Sequence, residues 1–171
     1  MTQEAMSMFA AGLEANTRLT DLFFTHNNLQ EAGEAGLAFI KSLSNKKDLR
    51  SLALNSCNLN GEYLVALQDA VQGHRELREL YLFANKIEAE EGKHIAAILK
   101  GKSKLTCLGL SNNKLGATGA CYIADDGLKG NACLVKLSIE NNGISNAGLE
   151  SLSEALKLNN SLQEIYLYNN D

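Results

Sequence analysis

Apolar residues along this chain recur in two registers that take turns. The first is clearest in LTCLGLSNNKL, where Leu105, Leu108, Leu110 and Leu115 frame Asn113. Leu108 and Leu110 alternate with Cys107, Gly109 and Ser111, which predicts a short strand with the leucines on one side and the small residues on the other. The same spacing, L-x-x-L-x-L-x-x-N-x-L, returns along the chain. It runs Leu19, Leu22, Phe24, Asn27, Leu29, then Leu49, Leu52, Leu54, Cys57, Leu59, then Leu77, Leu80, Leu82, Asn85, Ile87. After the copy at 105 come Leu134, Leu137, Ile139, Asn142, Ile144 and finally Leu162, Ile165, Leu167, Asn170. Copies starting at 19, 49, 77, 105, 134 and 162 are separated by 30, 28, 28, 29 and 28 residues, too steady a spacing for chance.

Between strands the register turns helical. Ten residues after each Asn, or after Cys57, stands Leu37, Leu67, Ile95, Ile123 or Leu152. Ile40, Val71, Ile98, Leu99 and Leu156 follow three or four positions later, marking one helix face. Gly33, Gly119 and Gly148 each fall six residues after the Asn and are expected to let neighbouring repeats approach closely. Proline is absent, as suits elements that use every backbone donor. Met6, Phe9 and Leu13 precede Leu19 at the intervals by which Leu149, Leu152 and Leu156 precede Leu162. Residues 1–18 are therefore expected to form a half-repeat whose helix, from about Glu4 to Ala15, caps the first strand with a small or polar outer face. The whole chain, 1–171, is expected to be one domain, its last repeat incomplete. Its sixth strand carries no covering helix, which predicts either a longer array or self-association through that end.

No unit of this kind buries its apolar face alone, so the repeats must stack into an α/β solenoid. Parallel strands would line the concave face and helices the convex face. The repeat length and alternation resemble the ribonuclease-inhibitor-like class of leucine-rich repeat proteins. The stretch LGLSNNKLGATGACYIADDGLKGNACLVKLSIENNGISNAGLESLSEALK is especially similar to the repeats of intracellular nucleotide-binding receptors. That resemblance implies a horseshoe arc that binds other proteins and performs no catalysis itself. The chain departs from ribonuclease inhibitor in its spacing and in having only 4 cysteines.

Composition narrows the classes further. With 45% hydrophobic residues the chain is expected to fold, and 16 basic against 20 acidic residues leave a net charge of −4. Lys46, Lys47 and Arg50 are the densest basic cluster, too small to bind nucleic acid. No apolar run approaches the ~20 residues that cross a bilayer. MTQEAMSMFAAGLEA has no basic start, and Cys57, Cys107, Cys121 and Cys133 form no C-x-x-C pair, so a cytoplasmic protein with free thiols is expected. His26, His74 and His94 fall on different parts of the repeat and cannot converge on a metal. No phosphate loop or nucleophile pair is present, so neither cofactor nor catalytic residue is expected. Glu88, Glu90 and Glu91 stand where a helix starts and are read as capping charges.

The column Asn27, Cys57, Asn85, Asn113, Asn142 and Asn170 is read as structural, satisfying backbone groups of adjacent turns. Function is then left to the outward strand positions. Asp21, Phe23, Glu79, Tyr81, Phe83, Lys136, Glu140, Glu164, Tyr166 and Tyr168 form the candidate partner-binding surface. Its aromatics fall in two groups with small residues between, as interfaces favour. Carboxylates outnumber Lys136, so a basic protein partner would be attracted. The expected function is a non-enzymatic protein-interaction module or scaffold. The alternative is a GTPase-activating or other enzyme-regulating repeat protein that acts through loops at the strand ends.

Overall fold

The computed structural model describes residues 2–100 and 103–171. Six strands, each three residues long, pair in parallel in chain order: β1 (Asp21–Phe23), β2 (Ser51–Ala53), β3 (Glu79–Tyr81), β4 (Cys107–Gly109), β5 (Lys136–Ser138) and β6 (Glu164–Tyr166). The register is strict: Leu22, Leu52, Leu80, Leu108, Leu137 and Ile165 form one continuous row. Helices α1 (Gln3–Ala15), α2 (Glu34–Ser42), α3 (Glu62–Val71), α4 (Gly92–Leu99), α5 (Gly116–Tyr122) and α6 (Asn146–Leu158) pack behind it. The result is the expected α/β leucine-rich repeat solenoid.

The core runs between the two layers. Leu52, Leu54, Leu80, Leu82, Leu108, Leu110, Leu137 and Ile139 are fully buried, as are Leu67, Ile95 and Ile123 from the helices. Each such side chain contributes about 1.5–3 kcal/mol. In the last strand Leu162, Ile165 and Leu167 are half-buried.

Departures from a 28-residue period have local causes. The two extra residues of the first repeat are absorbed by a single turn of tighter helix, Gln30–Ala32, ahead of α2. This shifts the helical register, so Phe39 rather than Leu37 fills the place of Leu67, and Leu37 is half-buried. Gly33 consequently does not act as a close-approach glycine: a Cβ there would meet nothing within 4 Å, and its φ of +52° makes it the turn before the helix, as at Gly61. Gly119 and Gly148 do act that way, their Cβ positions lying 2.9 Å from Leu115 Cβ and 2.6 Å from Ile144 Cγ2. The one extra residue between the fourth and fifth strands is taken up where α5 continues into a π-helical turn, Ile123–Leu128.

The N-terminal helix caps the first repeat with Met6, Ala10 and Leu13. Phe9 is not in the core as its spacing suggests. It is 42% exposed and lays one ring face on Phe24 (centroids 5.6 Å apart) and Phe39 (5.9 Å). Glu88 and Glu91 form a reciprocal capping box, matching the capping role read from the acidic run.

Candidate functional site

Two asparagine columns hold the strand layer in place. In the first, every side chain but that of Asn27 joins its own repeat to the one before. Asn113 Oδ1 accepts from the backbone N–H groups of Asn85 (2.9 Å) and Ile87 (3.1 Å), and its Nδ2 donates to the carbonyls of Leu82 (3.0 Å) and Leu110 (2.7 Å). Asn85 and Asn170 repeat the pattern toward Cys57 and Asn142. Asn142 donates back to Leu110, and Asn27 donates only to Thr25. Cys57 is buried and its thiol donates to the Phe24 carbonyl at 2.8 Å, while burial pushes its pKa up. The column thus bonds backbone groups of adjacent turns, and its cysteine faces inward.

A second column, three residues before each first leucine, escaped the sequence reading. Asn16, Asn131 and Asn159 accept from the N–H groups two and three residues on, closing the helix-to-strand turn. Asn131 and Asn159 also donate to the Leu99 and Leu128 carbonyls at the ends of earlier helices. In the second repeat Lys46 takes this place, fully buried, its ammonium donating to the Asn16 carbonyl at 2.7 Å. In the third it is His74, whose buried ring has no hydrogen-bond partner. Burial, reinforced by Lys47, holds its pKa below the usual histidine value. The signal was present in the sequence as Asn at the same place in three copies.

With the backbone held this way, outward side chains stand in rows across the sheet. Row one is Asp21, Ser51, Glu79, Cys107, Lys136, Glu164, and row two is Phe23, Ala53, Tyr81, Gly109, Ser138, Tyr166. A cup of about 540 Å³ opens over the second half of this surface, lined by Glu79, Tyr81, Phe83, Cys107, Lys136, Ser138, Glu140, Tyr166 and Tyr168. Eight of the ten candidate residues therefore come together here or, for Glu164, at its rim through Lys136. Asp21 and Phe23 do not: they sit on β1, beyond the buried Ser51 and Ala53 of β2, with Phe23 68% exposed.

The walls of the cup differ. On β3, Tyr81 and Phe83 contact each other (centroids 5.8 Å, planes at 40°) and lean over Gly109. A Cβ on Gly109 would collide with Phe83 Cε1 and Cζ and lie 3.0 Å from Tyr81 Cδ1. Gly109 is therefore not open floor, as a row of small residues suggested, but the bed for these rings. Burial, then the neighbouring Cys107 and Glu79, raise the Tyr81 phenol well above the usual tyrosine range. Glu79 accepts from the Ser51 hydroxyl at 3.0 Å. On β6, Tyr166 carries a cation on its face: Lys136 Nζ lies 4.7 Å from the ring centroid and 3.1 Å from Glu164. The Tyr166 hydroxyl donates to Glu164 at 2.9 Å, completing a three-member network. Between the walls Glu140 is only 8% exposed and accepts from the Ser111 hydroxyl.

Among the described residues no group of His, Cys, Asp and Glu has the arrangement of a metal site, and no helix is long and apolar enough to cross a membrane. The profile of the Leucine Rich repeat family matches residues 101–124 and 130–153. The chain is 31% identical over 136 residues to a protein phosphatase 1 regulatory subunit 37 homolog of Caenorhabditis elegans, covering 77% of this chain and 14% of that protein. It is 27% identical over 201 aligned positions to ribonuclease inhibitor of Mus musculus, covering 99% of this chain and 43% of that one. Among solved structures, the tropomodulin C-terminal domain of Caenorhabditis elegans superposes with a TM-score of 0.68 at 18% identity, over 91% of each chain. Leiomodin-1 actin-binding site 2 superposes with 0.66 at 21% identity, over 77% of this chain and 76% of that one. The chain spans only 14% and 16% of the two phosphatase-subunit relatives. Strand–helix units in strict parallel register, an asparagine ladder between them and these matches give the chain a leucine-rich repeat solenoid similar to ribonuclease inhibitor.

Proposed function

We propose that this chain is a non-enzymatic protein-interaction module that holds its partner in the concave cup between β3 and β6. The observation that carries this reading is the cup itself. Four aromatic side chains, Tyr81, Phe83, Tyr166 and Tyr168, line one cavity with small residues between them. Tyrosine at the centre of a concave, partly desolvated surface is the usual anchor of a protein interface. The relatives support the class of activity, since their names describe a regulatory subunit and an inhibitor.

A photo-crosslinking side chain placed at Tyr168 should trap a protein partner, whereas the same group at Met8 on the convex side should not. Equal trapping at both positions, or at Met8 alone, would move the interface off the cup. With the trapped partner purified, Tyr81→Ala and Tyr166→Ala should each cost about 2 kcal/mol or more of affinity. The enzyme-regulating alternative draws on the relative named as a phosphatase regulatory subunit. It predicts altered turnover of a protein phosphatase 1 catalytic subunit when this chain is added, and unchanged turnover counts against it.

A further inference from the structure

Strands β3 and β6 carry the same outward pattern. Glu79-Leu80-Tyr81 with Phe83 stands on one, and Glu164-Ile165-Tyr166 with Tyr168 on the other. In both, the carboxylate occupies row one, the tyrosine row two, and an aromatic ring lies two residues further. On β6 the preceding strand supplies the complement: Lys136 pairs with Glu164 at 3.1 Å and lies over the Tyr166 ring at 4.7 Å. On β3 the preceding strand supplies only the Ser51 hydroxyl. Among the described residues no basic side chain comes within 4.0 Å of Glu79 or Glu140. Glu140 lines the cup nine-tenths buried, its carboxylate met by the Ser111 hydroxyl and by no cation among the described residues. Three carboxylates, Glu79, Glu140 and Glu164, thus face one lysine that is already engaged.

We propose that the cup takes a basic side chain of the partner, an arginine in an exposed cationic segment, laid on Tyr81 and Phe83 with Glu79 on one side of it and Glu140 on the other. Arginine fits better than lysine because its planar guanidinium stacks on an aromatic face while its fork of donors grips a carboxylate at two points. Tyrosine faces attract such cations more strongly as water is excluded. This inference rests on the concave-face reading and adds the chemistry of the occupant.

The test uses the full chain and two fluorescent probes, an oligo-arginine peptide and its oligo-citrulline counterpart, followed by anisotropy at low and moderate salt. Citrulline keeps the shape and planarity of arginine and removes the charge. The arginine peptide should bind and the citrulline peptide should bind at least tenfold more weakly. Glu79→Gln and Glu140→Gln should each weaken the arginine complex about tenfold or more, while Glu150→Gln on α6 leaves it unchanged. Ser51→Lys offers a second route, because it places an internal cation one strand before Glu79 as Lys136 stands before Glu164. That variant should abolish the difference between the two peptides. Circular dichroism and the thermal midpoint confirm that each variant is folded. Equal binding of both peptides, or arginine binding that Glu79→Gln and Glu140→Gln leave intact, overturns the proposal. If crosslinking at Tyr168 still traps a partner in that case, the interface stands and only its occupant was misassigned; if nothing is trapped there, the interface itself fails.

Discussion

The two walls of the cup are built from nearly the same side chains and are held in place by different physics. The β6 wall is fastened electrostatically: Lys136, Tyr166 and Glu164 form a closed network at the surface. The β3 wall is fastened sterically: Tyr81 and Phe83 lie over a position where any Cβ would collide with them. An electrostatic wall is complete in itself, since its carboxylate and ring already have their cation. A steric wall leaves its carboxylate available. The same E-x-Y pattern therefore reads as a finished contact on one side and an open one on the other, and the difference comes from the adjacent strand.

The largest effect is expected where packing decides. Gly109→Ala should destabilise the protein by about 1 kcal/mol, as mild overpacking does, because the tip of the Phe83 ring must swing into the open cup and Tyr81 must give way slightly. A control on the neighbouring strand, Ser138→Ala, keeps its Cβ and introduces no such collision, and should stay nearer neutral. Chemical denaturation of both variants measures the contrast, and equal effects would show that the β3 rings do not depend on Gly109.

A second, intermediate effect concerns alkaline pH. Tyr81 has a folded-state pKa raised above the ordinary value of 10.0, by burial first and then by Cys107 and Glu79. Its contribution to stability is therefore fully present below about pH 10 and is lost as pH rises through the folded value. Tyr63, Tyr122 and Tyr168 are raised too, so spectrophotometric titration should show several late phenolate steps, of which the latest disappears in Tyr81→Phe. If the step persists in that variant, another tyrosine owns it and the β3 wall is wetter than the structure implies.

The smallest effect belongs to the β6 wall. Lys136 has its pKa raised by the hydrogen bonds to Glu164 and Tyr166, so its stabilising contribution is also present below 10.5 and lost above. The pair is solvent-exposed and screened. Lys136→Met should leave the thermal midpoint close to that of the parent at neutral pH. A loss as large as that of Gly109→Ala would mean that the two walls are fastened alike.

How far the molecule was legible from its sequence varies by position. Leu105, Leu108, Leu110, Asn113 and their counterparts announced strand, facing and stack, because every repeat solves the same burial problem with the same residue types. The first repeat misled: its two extra residues sit in a turn whose effect on α2, exchanging Leu37 for Phe39, depends on where the chain absorbs them. Asn131 and Asn159 were overlooked because Lys46 and His74 break their column, and only their hydrogen bonds reveal a common role. At the cup, the aromatic groups were readable as outward strand positions. That Tyr81 and Phe83 bend over Gly109, while Phe23 stands apart in solvent, was not.

The sequence by itself determined the repeat, the parallel register, the buried leucine rows and the first asparagine ladder, since all of these follow from periodicity and from satisfying backbone groups that neighbouring turns share. Only the tertiary structure decided which carboxylate meets a cation and which does not. That choice depends on the lateral neighbour one strand away, 28 or so residues distant along the chain. Lys136 neutralises Glu164, Ser51 does not neutralise Glu79, and no local pattern around either glutamate records the difference.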